Sequence, residues 1–225
     1  MEPETLKKRL WEAEGILFDL DNTLYPRERG VFDLINERIS LFVSDLTGKC
    51  LDDVRLMRKD YVGRYGTTLG GLMRHFDVPP EEFLDFVHDV PVEGMLGPNG
   101  DLREFISRIT LPKVIFTNAT ALHAERVLAA MNMRGVFDGI CDLRKTGYLG
   151  KPHPEAYRAA AGEAGSTMGR TILVDDLEAN VRGASSVGMV AIKVGGPHGD
   201  CADLRVSHVR DLEDTFRGAP WLITL

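Results

Sequence analysis

Cysteine is scarce and unpatterned in this chain. Cys50, Cys141 and Cys201 are an odd number, far apart and without CxxC spacing, so neither a disulfide framework nor a zinc cage is encoded, and they read as reduced thiols. No apolar run approaches the ~18 residues of a membrane span. The opening MEPETLKKRLWEAEG mixes acids with bases and lacks the apolar centre of a signal peptide, so a soluble cytoplasmic chain is expected. Cations are in the minority, with 27 Lys and Arg against 34 Asp and Glu and a net charge of −7, which argues against a binder of nucleic-acid backbone. A small anionic substrate still fits if cations are gathered locally. There is no internal repeat and no low-complexity tract. Gly147-Tyr148-Leu149-Gly150-Lys151 does not complete GxxxxGK[ST], and Gly195-Gly196-Pro197-His198-Gly199 lacks GxGxxG, so a nucleoside triphosphatase loop and a dinucleotide site are both set aside.

Four short apolar runs are present: Ile16-Leu17-Phe18, Val114-Ile115-Phe116, Ile172-Leu173-Val174 and Val190-Ala191-Ile192. They are rich in β-branched residues and continuous rather than alternating, as strands buried on both faces are. Helical stripes such as Ala124, Val127, Leu128 and Met131, or Ala156, Tyr157, Ala160, Ala161 and Ala164, alternate with them, which predicts an α/β fold with a parallel sheet. The 92 residues from 22 to 113 between the first two runs exceed what one crossover helix uses. Val31, Leu34, Ile35, Ile39, Phe42 and Leu46 make one helical stripe there, and Phe83, Phe86, Val87 and Val90 make another behind Pro79-Pro80-Glu81-Glu82. A small all-helical domain over 26–96 is therefore expected to interrupt a core of residues 1–25 and 97–225, with turn formers at Pro26–Gly30 and Gly94–Gly100 as hinges. Residues 197–225 read as a final strand and helix.

Three of the runs end in polar clusters: Asp19-Leu20-Asp21-Asn22-Thr23, Thr117-Asn118 and Asp175-Asp176. Ligands of open parallel sheets bind outside the carboxyl ends of strands, so the clusters should share one crevice. Carboxylates crowded there repel by about 4 kcal/mol per close pair at an effective dielectric of 20. A hard divalent cation relieves them. Oxygen donors without His or Cys favour Mg²⁺, which usually accompanies phosphate. Lys151, ahead of Pro152-His153-Pro154 at a helix start, can supply fixed positive charge. His153 reads as a helix cap, and His88, His123, His198 and His208, sharing no ligand spacing, as structural residues.

In this order, Phe18-Asp19-Leu20-Asp21-Asn22-Thr23, Thr117-Asn118, Lys151-Pro152 and Asp175-Asp176 with Asn180 resemble the four motifs of the haloacid dehalogenase superfamily. The resemblance implies a Rossmann-like core with a helical cap inserted after the first motif. It implies that Asp19 is a phosphoryl-accepting nucleophile, that Asp21 is an acid and base of raised pKa, and that Lys151 and Thr117 compensate charge on the phosphoryl oxygens. Mg²⁺ is then held by Asp19, the main-chain carbonyl of Asp21 and the pair Asp175 and Asp176, with Asp176 favoured as the direct ligand. Asn118 orients phosphate, and Asn180 and Thr23 support the ligands from behind. Dehalogenating members lack the second aspartate, so Asp21 points to phosphate esters. Asp21-Asn22-Thr23-Leu24-Tyr25-Pro26, Tyr65-Gly66-Thr67-Thr68-Leu69 and Lys151-Pro152-His153 are similar to the pyrimidine 5'-nucleotidase branch, which often has Arg where this chain has Gly70. Tyr25, Tyr65, Thr67 and Thr68 are the candidates for contact with substrate, and they read equally well as packing tyrosines and capping threonines. The expectation is a Mg²⁺-dependent phosphomonoesterase for a small phosphorylated metabolite, monomeric or homodimeric, with no nucleic-acid or membrane partner. A phosphomutase and a non-enzymatic phosphoreceiver are the alternatives.

Overall fold

The computed structural model describes residues 3–196 and 201–223. Six strands, β1 (Gly15–Phe18), β2 (Lys113–Phe116), β3 (Gly139–Cys141), β4 (Thr171–Asp175), β5 (Val190–Val194) and β6 (Leu204–Val206), lie parallel in one sheet in the order β3-β2-β1-β4-β5-β6. The four apolar runs are the central strands. β1 lies between β2 and β4, with Leu17 opposite Val114 on one side and Leu173 on the other. Strand geometry sends successive side chains to opposite faces. Accordingly Ile16 and Phe18 join a cluster with Phe105, Val127 and Leu212, while Leu17 joins Phe116, Tyr157 and Leu173 on the other face.

The sequence pattern does not reveal β3, which has three residues and only one of them fully buried. It is a short edge strand that carries no apolar run to mark it. The tail pairs as β6 and ends in a helix, as expected. Pro197, His198 and Gly199 of the glycine-rich loop lie outside the described residues.

Helices cover both faces of the sheet. They are α1 (Pro3–Trp11), α2 (Val31–Thr47), α3 (Leu51–Tyr65), α4 (Thr68–His75), α5 (Pro80–Val87), α6 (Val92–Met95), α7 (Gly100–Ser107), α8 (Ala121–Ala130), α9 (Pro154–Glu163), α10 (Glu178–Ser186) and α11 (Leu212–Phe216). Their ends follow local chemistry. Pro80 opens α5 where its missing N–H has no partner to lose, Gly48 closes α2 in a left-handed conformation, and Thr120 and His153 cap α8 and α9 with side-chain acceptors. Among the described residues no helix is long and apolar enough to cross a membrane.

Everything described between β1 and β2 is helix, turn or loop. The insertion carries its own cluster of Val43, Val54, Tyr61, Leu69, Leu72, Phe83, Leu84 and Val87, joined by Leu143 from the loop after β3. Val31, Ile35, Val90 and Val92 instead belong to the cluster beneath the sheet, so both ends of the insertion are packed on the main body. The second expected hinge begins inside α6, where buried Val92 accepts the Leu96 N–H at 3.0 Å.

Candidate active site

β1 delivers Asp19. Its N–H continues the ladder to the Val174 carbonyl at 2.9 Å, so the residue is fixed by the sheet before its side chain does anything. The chain then turns through Asn22, which is left-handed at φ 62°, and the Leu24 N–H returns to the Leu20 carbonyl. That turn brings the Thr23 hydroxyl back to donate to Asp19 Oδ2 at 2.9 Å.

Lys151 sits at the centre. Its Nζ donates to Asp19 Oδ1 and Asp175 Oδ2, both at 2.7 Å, and to the Phe116 carbonyl at 2.8 Å, with the residue only 1% exposed. Burial works against the ammonium, but Asp175 and Asp19 hold its pKa above the ordinary lysine value. Asn118 holds the backbone carrying this lysine. It accepts from the Lys151 N–H at 2.7 Å and donates to the Lys151 carbonyl at 3.0 Å. A Cβ on neighbouring Gly150 would lie 2.7 Å from Asn118 Oδ1, so only glycine permits this approach. Asn118 lines the cleft, yet both ends of its amide already serve the lysine. Thr117 is buried and accepts from the Ala119 N–H at 3.0 Å, leaving its hydroxyl hydrogen available.

Asp175 is fully buried and accepts from Lys151, the Leu177 N–H and the Asn180 amide. Asp176 is less enclosed and lines the cleft. Asp19, Asp175 and Asp176 can bring oxygens within 4.8 Å of one another. Burial raises the Asp19 pKa well above its usual value despite Lys151, and Asp175 and Asp176 add to the rise. Burial and then Asp175 lift Asp176 to about 6. Asp19 and Asp176, both raised and with a third carboxylate beside them, suit a hard divalent cation. Asp175 already serves Lys151 and Asn180, so Asp19 and Asp176 have the freer oxygens.

Asp21 departs from expectation. Burial alone would raise its pKa, but His123 and Tyr25 outweigh it and the pKa is lowered, where the resemblance implied a raised value. The Tyr25 hydroxyl donates to Asp21 Oδ1 at 2.5 Å, and His123 Nε2 lies 2.9 Å from the same oxygen. Tyr25 is therefore a buried partner of Asp21, not an open contact surface. His123, 1% exposed, packs against His88 with ring centroids 4.9 Å apart. His88 Nδ1 meets the Leu84 carbonyl at 2.8 Å, and burial, then His123, depresses its pKa to about 4.

Reading His123 and His88 as structural from the sequence thus missed that one partners Asp21 and the other lines the cleft. The available signal was the placement of His123 on the buried stripe that continues through Ala124 and Val127. A polar group on such a stripe needs a partner, and the polar cluster at Asp21 supplies one.

The insertion closes the crevice into a cleft of about 220 Å³, with Asp19, Asp21, Thr117 and Lys151 at one end and Phe32, Ile35, Arg58, Phe83 and Leu84 at the other. Thr67 and buried Thr68 line it, Thr67 also capping α4 by accepting from the Gly70 N–H at 2.9 Å. Tyr65 is not brought to the cleft: its hydroxyl pairs with His75 Nε2 at 2.7 Å. His153 has the capping role read from sequence, accepting from the Glu155 N–H.

Comparison with known proteins gives a consistent picture. A family described as haloacid dehalogenase-like hydrolase matches residues 13–188. Phosphate metabolism protein 8 of Saccharomyces cerevisiae is 29% identical over 187 residues, which are 76% of this chain and 58% of that protein. The chain therefore spans less than two thirds of the length of this curated relative. Among solved structures, a HAD phosphatase from Thermococcus onnurineus superposes with a TM-score of 0.62 at 20% identity, covering 93% of this chain and 100% of the other. CbbY from Rhodobacter sphaeroides in complex with phosphate gives 0.64 at 20% identity over 89% and 96%. L-2-haloacid dehalogenase from Xanthobacter autotrophicus gives 0.59 at 17% over 92% and 99%. At these identities the structures establish a shared fold.

Proposed function

Because this chain belongs to the haloacid dehalogenase-like hydrolases, we propose that it is a Mg²⁺-dependent phosphomonoesterase acting on a small phosphorylated metabolite, with a pyrimidine nucleoside 5'-monophosphate as the leading substrate. The observation that carries the reading is the buried pairing of Asp19 with Lys151 at 2.7 Å, beside Asp175 and Asp176, at the carboxyl ends of β1 and β4. The insertion, residues 26–96, serves as the cap over the leaving group.

Asp19 attacks phosphorus, forming a carboxylate–phosphorus bond while the ester oxygen–phosphorus bond breaks. Lys151 faces the charge accumulated by an anion meeting a dianion, and the Thr117 hydroxyl donates to a phosphoryl oxygen. Asp21 protonates the leaving alkoxide and then takes a proton from the water that releases phosphate and restores Asp19. Tyr25 and His123 favour the Asp21 carboxylate that acts as base in the second step; the proton for the first step is one Asp21 takes up from solvent as the phosphate dianion raises its proton affinity, and the proton from the attacking water replaces it for the next cycle. Asp19, Asp176 and the Asp21 carbonyl, with Asp175 behind them, would hold Mg²⁺, which when bound would add positive charge against the phosphoryl oxygens.

Phosphate release from a panel of nucleotides and sugar phosphates, with Mg²⁺ or with chelator, is the test. Metal-dependent release that Asp19→Asn abolishes, with preference for uridine or cytidine monophosphate, is expected. Release that survives Asp19→Asn overturns the assignment of the nucleophile, and preference for sugar phosphates overturns the nucleotide assignment.

A further inference from the structure

The cap end of the cleft is apolar except at a few points, and one of those is a cation. Arg58, on α3, and Lys151 are the only lysine or arginine side chains lining the cleft among the described residues. Lys151 is neutralised by two carboxylates. Arg58 has no carboxylate partner among the described residues: its Nη1 donates to the Asn36 carbonyl at 2.9 Å and Ser40 Oγ at 2.5 Å, and its Nη2 to Asn36 Oδ1 at 2.7 Å. Every acceptor is a neutral oxygen. Burial lowers the Arg58 pKa with no carboxylate offsetting it.

A guanidinium carries five N–H donors. Three are engaged by Asn36 and Ser40, Nε is buried out of reach, and one N–H of Nη2 is left over. A part-buried cation on a cleft wall with neutral partners and one N–H to spare is an incomplete interaction that an acceptor on a ligand can complete. The cleft is also lined by Phe32, Ile35, Ile39, Phe83 and Leu84. These offer nothing to the many hydroxyls of a free sugar but pack well on the faces of a planar ring. The small volume of the cleft limits the ring to a compact one.

We propose that Arg58 is a specificity-determining residue that donates to an acceptor oxygen on the leaving group, the carbonyl of a pyrimidine-type ring packed between the apolar residues of the insertion. The inference rests on the phosphomonoesterase reading and specifies what that site selects.

Three substrates with one phosphoester chemistry separate its parts: uridine 5'-monophosphate, phenyl phosphate (a ring without an acceptor) and ribose 5-phosphate (no ring). Arg58→Ala is expected to lower kcat/KM for uridine monophosphate about 10- to 100-fold, the loss of one charge-assisted hydrogen bond, mainly through KM. Phenyl phosphate and ribose 5-phosphate should stay within about twofold of the wild type, because neither presents the acceptor. Arg58→Lys should restore part of the uridine monophosphate activity.

An equal loss on all three substrates means that Arg58 only supports α2 through Asn36, and overturns the proposal. So does an unchanged kcat/KM for uridine monophosphate, or a wild type that cleaves phenyl phosphate as readily. If Mg²⁺ drives release from none of the three, the phosphomonoesterase reading itself fails; release sensitive to Asp19→Asn with no selective effect of Arg58→Ala removes the Arg58 assignment alone.

Discussion

Replacing Gly71 by alanine tests how the insertion is built. Gly71 lies on α4 against α3, and a Cβ placed there would meet Tyr61 Cδ2 and Cγ at 2.2 Å and Tyr61 Cβ at 2.7 Å. The ring could swing away, but Cβ moves only with its backbone, so α3 and α4 must separate. Helix propensity favours the substitution by about 1 kcal/mol. Overpacking a close helix contact costs about 1–3 kcal/mol for milder collisions than this one. The clash should win, and Gly71→Ala should lose about 2 kcal/mol net. Gly63, on α3, supplies the opposite case: nothing lies within 4 Å of its Cβ position, so Gly63→Ala keeps the propensity gain and should stabilise by about 0.5–1 kcal/mol. Urea unfolding followed by circular dichroism reads both midpoints, with the m-value as a check that the exposed surface is unchanged. Stabilisation by Gly71→Ala, or shifts of the same sign at both positions, would refute the packing of α4 on Tyr61.

Other perturbations address the site. Lys151→Met leaves Asp19 and Asp175 buried without their cation and should cost about 3–5 kcal/mol in urea unfolding together with nearly all phosphate release, whereas Lys151→Met with Asp175→Asn should regain stability and stay inactive. His88 is held neutral in the fold, its pKa lowered from 6.5 to about 4, so the unfolded chain takes up a proton that the native chain refuses between those values. That contribution to stability is complete above pH 6.5 and is lost as pH falls toward 4; at pH 5 the loss is up to about 2 kcal/mol, and His88→Gln should remove this part of the pH dependence in urea midpoints measured from pH 7 to 5. His123→Ala takes one partner from Asp21 and should lower kcat about 10- to 100-fold with little change in KM, a split that steady-state phosphate release will show.

The central sheet is legible in the sequence because β1, β2, β4 and β5 are buried on both faces and must be continuously apolar. β3 and β6 sit at the two ends of the sheet order, are only partly buried and have three residues each, so no run marks them. The helical insertion is legible from the excess of chain between β1 and β2 and from its 3.6-residue stripes.

That Asp19, Lys151 and Asp175 would meet was legible because their clusters follow the ends of strands that lie in one parallel sheet. The environment of Asp21 could not. Whether a carboxylate in a crevice is raised or lowered depends on which donors fold against it, and Tyr25 and His123 reach it from a turn and from the start of α8. Asn118 shows the same limit: an amide after a strand looks the same in sequence whether it faces a ligand or clamps the backbone of Lys151.

The insertion leaves the sheet after β1 and returns before β2, two strands that are hydrogen-bonded neighbours. Its two connections therefore enter the body close together, as the ends of an oversized loop do. Chain can be lengthened, shortened or exchanged between α2 and α5 while the register of β1, β2 and β4 and the grip of Lys151 on Asp19 stay as they are. Heredity can consequently treat the two halves of the cleft as separate traits. The half that holds Asp19, Lys151 and Asp175 is locked by the sheet, and the half lined by the insertion is free to vary, so a new lining can be set over an unchanged lysine–carboxylate centre.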